Sequence, residues 1–391
     1  MPSNHDVVLL ALDDAVVTLG AQFREVALGL LITALNPHAS SYAWYFLAAS
    51  IPGVVFANRY AWASARFGPR QTMVISYALR LLLVLGLWRA TNFWLAIAIL
   101  AGIMTGSGFY SAAQAQYVAV SGDFVGTRNV VIRLRQSESV MRLFGPLLAG
   151  MVLTFTAYRN GFLLSALAYG IALVIVSRLS PIENSTPDKG VRQRLDWRVD
   201  APSLAILALN FLIWQGNTLA IAYTFHVLHR HSFGYGLTLS VWGGSGFLAS
   251  LWLARIRTRP MRWIPLLFAL LGGSWLVLSL GVTFPVFVLL GGVEGLAGWM
   301  ITDLIAASFL SSAPAGEAGY AQAKLGAYDN IGSILGTLVI LVVPGSWLVL
   351  PMYKVLGSLA VIAGILFVGF SRRLIRPGNR HLEPKDADEG V

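Results

Sequence analysis

An all-α membrane protein, with twelve transmembrane helices arranged as two six-helix halves, is the fold class this sequence predicts. Three observations carry that prediction. The 391 residues are 56% hydrophobic and 12% charged, with a mean hydropathy of +0.68. That is too apolar for a soluble chain, and too evenly so for a soluble domain on a single anchor. The apolar stretches recur at about the 20 residues a helix needs to cross a bilayer, and lipid offers the backbone no hydrogen-bond partners, so each must be helical. One polar interior segment, residues 178–200 (RLSPIENSTPDKGVRQRLDWRVD), separates two apolar blocks of similar length.

In chain order the spans fall at about residues 8–34, 42–62, 71–88, 93–118, 130–155, 160–178, 201–227, 233–254, 262–281, 285–311, 320–344 and 351–370. Residues 1–180 then form the first bundle, 181–200 a central loop, 201–371 the second bundle and 372–391 a polar tail. The start, MPSNHDVVLLALDD, has no basic region before its apolar run, and that run holds two aspartates, so no cleaved signal is expected.

The turns carry twenty-one Lys and Arg on one side and only Arg89, Arg159 and Arg230 on the other, alternating turn by turn. Cationic loops stay in the cytoplasm, which places both termini and the central loop there. Topology thus accounts for the net charge of +10, and no nucleic-acid partner is expected. The absence of cysteine excludes disulfides and thiolate metal sites. His229 and His231 lie in a short turn without nearby carboxylates, a weak metal signal. No phosphate-binding loop, nucleophile elbow or zinc-protease motif is present, so no enzyme, ATP-driven pump, cofactor or metal is expected.

The halves also share local pattern. ARFGPR after span 2 has a basic counterpart, ARIRTRPMR, after span 8, and Glu138 precedes Gly145 by the same seven residues as Asp329 precedes Gly336. Parallel repeats of this kind place a binding site between the halves near the midplane.

Residues 61–70, AWASARFGPR, follow Ile51, Pro52 and Gly53 and precede an arginine at position 80. They resemble the signature Gly-x-x-x-Asp-Arg-x-Gly-Arg-Arg of the major facilitator superfamily, and within it the branch of drug and siderophore efflux proteins that includes the enterobactin exporters. Arg66, Gly68 and Arg70 match, whereas Ala61 and Ala65 replace the first Gly and the Asp. In the family that Asp belongs to a charge network that helps hold the outward-facing state. Gly145, Pro146 and Gly150 are similar to the family's GPxxxG helix, where small residues let helices approach closely. AGEAGYAQAKLGAYDNIGSILG resembles the stretch leading into span 11, with Gly319-Tyr320 in place of a Gly-Arg pair. The resemblance implies a cavity lined by spans 1, 4, 7 and 10, flanked by 2, 5, 8 and 11, with 3, 6, 9 and 12 outside.

An acid at the bilayer centre costs roughly 2.5–3.5 kcal/mol, so acids within spans must face water, one another or a base. The seven here, Asp13, Asp14, Glu25, Glu138, Glu294, Asp303 and Asp329, lie only on spans 1, 5, 10 and 11, the pattern of a wet central pathway. Asp14 and Glu25 are eleven residues apart and so share nearly one helix face, which makes them a proton-coupling pair, with Asp13 ranked below them. Arg24 sits about 100° round from Glu25 and is expected to pair with an acid on another helix. Glu138 and Arg142, spaced i,i+4, suit an intrahelical ion pair near the cytoplasmic gate. Asp329 has no base three or four positions away and suits coupling or gate closure. Glu294 and Asp303, nine residues apart, point to opposite faces, and Glu294 in GGVEGLAG is the one expected in the cavity.

Tyr110, Gln114, Gln116 and Tyr117 on span 4, with Trp214, Gln215 and Asn217 on span 7, give a mixed aromatic and amide surface suited to an amphipathic organic solute. The expected protein is a monomeric secondary transporter of a bacterial inner membrane. Its expected partners are protons, lipid and a small molecule, siderophore or drug-like, exported by proton antiport with alternating access. Import in the same fold, and a non-transporting sensor or assembly factor on that scaffold, are the alternatives.

Overall fold

The computed structural model describes residues 4–38, 40–120, 124–181, 201–253, 263–311, 318–343 and 349–374. Most of the central loop, the turn at 254–262 and most of the tail lie outside the described residues. Those described form thirteen α-helices and one π turn, with no strand among them. The first part of the chain supplies α1 (Asn4–Leu35), α2 (Ser41–Val55), α3 (Ala57–Phe67), α4 (Pro69–Trp88), α5 (Phe93–Val120), α6 (Phe124–Phe155) and α7 (Asn160–Ser177). The second supplies α8 (Ala201–Ala222), the π turn (Tyr223–Val227), α9 (Ser232–Leu253), α10 (Ile264–Leu278), α11 (Phe284–Ser311), α12 (Ala318–Val342) and α13 (Leu350–Leu374). Each apolar stretch read from the sequence falls on a helix. Eight segments are long and apolar enough to cross a membrane, and α6 and α10 hold the shorter apolar stretches Val140–Phe155 and Ile264–Leu278.

Two of the expected spans are not single α-helices. Span 2 is α2 followed by α3, because Pro52 cannot donate to the preceding turn and its ring crowds that turn. The helix breaks one turn later at Phe56, and the Tyr60 hydroxyl donates to the Pro52 carbonyl at 2.9 Å. Span 7 ends in the π turn, where the Leu228 N–H reaches the Tyr223 carbonyl five residues back, at 2.9 Å.

Between α3 and α4 a single residue reverses the chain. Gly68 has φ +87°, a conformation that L side chains rarely adopt, and Pro69 follows at the first position of α4, where its missing N–H costs nothing. This explains the Gly of the 61–70 motif without reference to function.

Buried apolar side chains gather into two clusters. One holds Leu31, Tyr77, Ile103, Phe162 and Tyr169, the other Leu209, Leu271, Trp275, Met300 and Tyr353. The two parts of the chain meet chiefly where α6 crosses α9 and α2 packs on α12. At the α6–α9 crossing a Cβ on Gly150 would stand 3.2 Å from Gly236 Cα and 2.8 Å from the Ser232 carbonyl, so the two backbones touch. On the opposite faces Leu82, Leu167, Val174, Leu270, Ile362 and Ile365 of α4, α7, α10 and α13 are exposed. Apolar rows of this kind suit lipid, not water.

Candidate functional site

Asp13, Asp14 and Glu25 of α1 face different surroundings. Asp13 is 0% exposed, and its Oδ2 accepts hydrogen bonds from Tyr77 of α4 at 2.9 Å and Tyr110 of α5 at 2.6 Å. Its Oδ1 has no hydrogen-bond partner. Gln114 donates to Tyr110 at 2.9 Å. Beside this group Arg80 packs its guanidinium over the Tyr169 ring at 4.4 Å and donates to the Tyr169 hydroxyl at 2.9 Å. Arg24 donates to the same hydroxyl, and its Nη2 lies 3.9 Å from Glu25 Oε1. Two buried guanidiniums and two carboxylates, Asp13 and Glu25, thus lie within one polar network that joins α1, α4, α5 and α7. Arg24 contacts a tyrosine on α7 and its own neighbour Glu25, and among the described residues no acid of another helix. Its position on the inward face of α1 leaves the Tyr169 hydroxyl as the polar group within reach.

Asp14, one residue on and about 100° round the helix, turns toward α6 and accepts from Ser137 Oγ at 3.3 Å. On α6, Arg142 binds Glu138 through Nη2 at 2.7 Å and Nε at 3.0 Å. Arg142 also lies within electrostatic reach of Glu25 and Asp14, and sits over the Trp299 ring of α11 at 5.5 Å. Arg142 is thus paired with Glu138 on its own helix and lies within the field of two acids of α1. Glu25 remains 36% exposed and Arg142 37%, although both sit within long packed helices. Both lie where α1 and α6 approach the second part of the chain, Arg142 against Gly243 of α9 and Trp299 of α11. Partly exposed charge at such a contact can bind a solute, exchange a proton or change partners as helices move.

The second part has its own buried acid. Glu294 on α11 is 5% exposed, and its carboxylate lies against Gly216 of α8 and Trp275 of α10. The Trp275 indole N–H faces this carboxylate outside hydrogen-bond geometry, so Glu294 Oε1 and Trp275 Nε1 both lack a partner among the described residues. Of the glycines around Glu294, Gly295 packs on Ser245 and Trp242 of α9 and Gly292 on Val241, whereas Gly291 meets open space. Glu294 itself lies against α8 and α10 of its own half. Asp303 is exposed. Asp329 is half-buried on α12 beside Asn330, which packs against Gly53 of α2 where the two parts meet.

Several expected cavity residues are committed elsewhere. Tyr110 is held in the Asp13 network. Tyr117 is buried and donates to the Ser180 carbonyl at 3.1 Å. Gln215 is buried and donates back to the Phe211 carbonyl of its own helix at 2.8 Å. In each case the polar end is drawn to a partner within its own half, which periodicity along one helix does not reveal. Gln114, Trp214 and Asn217 stay half-buried, with Trp214 edge-on to Phe46 of α2 at 5.1 Å. Gln116 accepts from Ser64 of α3.

At the N-terminal end of the molecule the residues after α7 are tied down from three sides. Arg70 of α4 donates to the Ser177 carbonyl, where a cation complements the helix dipole. Asp6 of α1 accepts from the Ser180 N–H at 3.1 Å and its hydroxyl at 3.2 Å, and Tyr117 of α5 donates to the Ser180 carbonyl. Arg66 is exposed. Sequence reasoning passed over Asp6, Tyr77 and Tyr169. The signal was present in a hydroxyl-bearing aromatic recurring on each of spans 3, 4 and 6.

The sequence matches the description Major Facilitator Superfamily over residues 15–337. The chain belongs to the major facilitator superfamily. It has the fold of that superfamily, and solved transporters share it at low identity. A human organic anion transporter, MFSD10 (TETRAN), superposes with TM-score 0.68 at 14% identity, covering 94% of this chain and 100% of that one. A bacterial homologue of the iron transporter ferroportin in its inward-facing state gives 0.71 at 15%, covering 95% and 100%. A POT family transporter in complex with 5-aminolevulinic acid gives 0.73 at 14%, covering 95% and 96%. No curated protein matches the sequence. As a superfamily member the chain is a multi-pass membrane protein and a transporter of small molecules. Among the described residues no group of three or more His, Asp or Glu gathers to hold a metal ion.

Proposed function

We propose that this superfamily member exports a small amphipathic molecule, siderophore or drug-like, in exchange for protons, by alternating access between two six-helix halves, residues 1–180 and 201–371. The observation that carries this reading is the partly exposed ion pair of Glu138 with Arg142, with Glu25 and Asp14 of α1 within electrostatic reach, where the two parts of the chain meet. A proton taken up by Asp14 or Glu25 removes one of the charges that holds Arg142, and so changes the relative stability of states in which the halves meet differently. A ligand or proton that binds two states unequally shifts their populations, and no more than that is needed for coupling. Asp329, half-buried at the α2–α12 contact, is the second coupling position, with Glu294 as a buried reserve. Trp214, Asn217 and Gln114 supply aromatic and amide contacts for the solute.

The loops rich in Lys and Arg set both termini in the cytoplasm of a bacterial inner membrane, and each half is complete enough for the monomer to be the working unit. The signature at residues 61–70 supports the efflux branch. Ala65, where that signature has Asp, favours the second reading of a sensor or assembly factor on a transporter scaffold.

Accumulation of siderophores and hydrophobic dyes in a deletion strain identifies the cargo. Everted vesicles with and without an imposed proton gradient then test the mechanism. Gradient-driven uptake into the vesicles is expected, and Glu25→Gln is expected to lower it about tenfold or more, the range over which a positioned proton carrier acts. Flux that ignores the gradient, or is unchanged by Glu25→Gln, overturns proton antiport. No flux of any solute favours the sensor.

A further inference from the structure

Away from Arg142 and the acids near it, the first half carries a groove of about 630 Å³ between α3, α4 and α5, next to the helix break after Pro52. Its walls include Val55 and Trp62 from the α2–α3 segment, Ile75 and Leu79 from α4, and Phe109 from α5. Val55, Trp62, Ile75 and Leu79 are all exposed, so the groove opens to the molecule's surroundings and not to its core. Tyr60, with its ring 4.8 Å from that of Phe109 in an edge-on contact, holds α3 onto α5 at one end of the groove.

The polar content of this wall is specific. The Thr72 hydroxyl is committed to the Gly68 carbonyl at 2.9 Å and the Ser76 hydroxyl to the Thr72 carbonyl at 2.7 Å. No acid lines the groove. Arg59 does, exposed, its backbone N–H donating to the Phe56 carbonyl at 2.8 Å and its guanidinium without a hydrogen bond or ion pair among the described residues. An arginine that is never deprotonated, set in an apolar wall beside lipid, demands an anion, and its planar fork suits a phosphodiester. The helix that carries it has the composition of a membrane interface, with Trp62 and Phe67 in edge-on contact at 5.9 Å and Arg66 exposed nearby.

We propose that this groove is a binding site for an anionic phospholipid, with one acyl chain along Ile75, Leu79 and Phe109 and the headgroup phosphate on Arg59. The site is separate from the solute path and stands whether or not the transport reading does. Lipid seated there braces α3 against α4 and α5, next to the Gly68 turn.

The test is competitive retention. The full-length protein is equilibrated with equimolar phosphatidylglycerol and phosphatidylcholine of identical acyl chains, purified in detergent, and its bound lipid quantified by mass spectrometry. Wild type is expected to retain phosphatidylglycerol about fivefold over phosphatidylcholine, the contribution of one cation at a headgroup. Arg59→Gln is expected to abolish the preference and Arg59→Lys to keep most of it, while Ile75→Trp, which narrows the groove, lowers retention of both lipids. These side chains are exposed, and an unchanged thermal transition checks that each variant is folded. No preference in wild type, a preference that survives Arg59→Gln, or one abolished equally by Arg66→Gln outside the groove overturns the assignment. So does a dimer mass without lipid, which would seat a second copy of the chain there.

Discussion

At the residue scale the most informative pair is Asp13 and Asp14, neighbours in sequence with opposite roles. Asp13 is buried under two phenols and Asp14 turns to Ser137 of α6, within electrostatic reach of Arg142. Removing either phenol hydroxyl leaves a buried carboxylate oxygen short of a donor. Tyr77→Phe and Tyr110→Phe are each expected to lower stability by about 1 to 2 kcal/mol, read from reversible unfolding in detergent. The Glu138–Arg142 pair is expected to differ, since Arg142 is 37% exposed and water screens it. A double-mutant cycle with Glu138→Gln and Arg142→Gln should give a coupling of about 1 kcal/mol or less in stability, with a larger effect on transport. The sequence ranked Asp13 below Asp14 because one helix alone gives no account of what faces it. The partners of Asp13 lie 64 and 97 residues away, Tyr77 on a span read as outward-facing and Tyr110 read as a contact for the solute.

At the scale of the element, the helices were legible because hydrophobic length is a property of the chain by itself. The breaks were less so. Pro52 announces a bend but not that the two parts become separate helices, and nothing local marks the π turn at Tyr223–Val227. The small residues were readable and carry predictions. Gly68→Ala places a Cβ at φ +87° and is expected to cost about 1 to 2 kcal/mol, seen as a lower thermal midpoint with α3 and α4 intact. Gly236→Val puts side-chain atoms into the α6 backbone at the crossing and is expected to cost about 1 to 3 kcal/mol and to block motion there. A Gly236→Val protein that transports at the wild-type rate would mean that this contact does not have to be so close.

For the whole molecule, the superfamily assignment rests on the match over residues 15–337, which the resemblance of residues 61–70 anticipated, and structure adds how the two parts meet. At the far end of the α6–α9 crossing Thr154 and Ser232 share a hydrogen bond of 2.9 Å. The chain has no cysteine, so Thr154→Cys with Ser232→Cys gives a single-disulfide background. Its oxidation is expected to stop transport and its reduction to restore it. The placement of Glu294, Tyr110 and Tyr117 was not legible, because a polar side chain in a membrane helix serves its own bundle or the passage equally well by composition. The exposed charge round Arg142 distinguishes the two. The most direct measurement of the account therefore needs no solute: spin labels across the α6–α9 crossing, with distance distributions recorded at acidic and at neutral pH. The distribution should shift between the two conditions in the otherwise wild-type protein and stay fixed in Asp14→Asn/Glu25→Gln. A shift that persists in the double variant, or none at all before the carboxylates are removed, would contradict it.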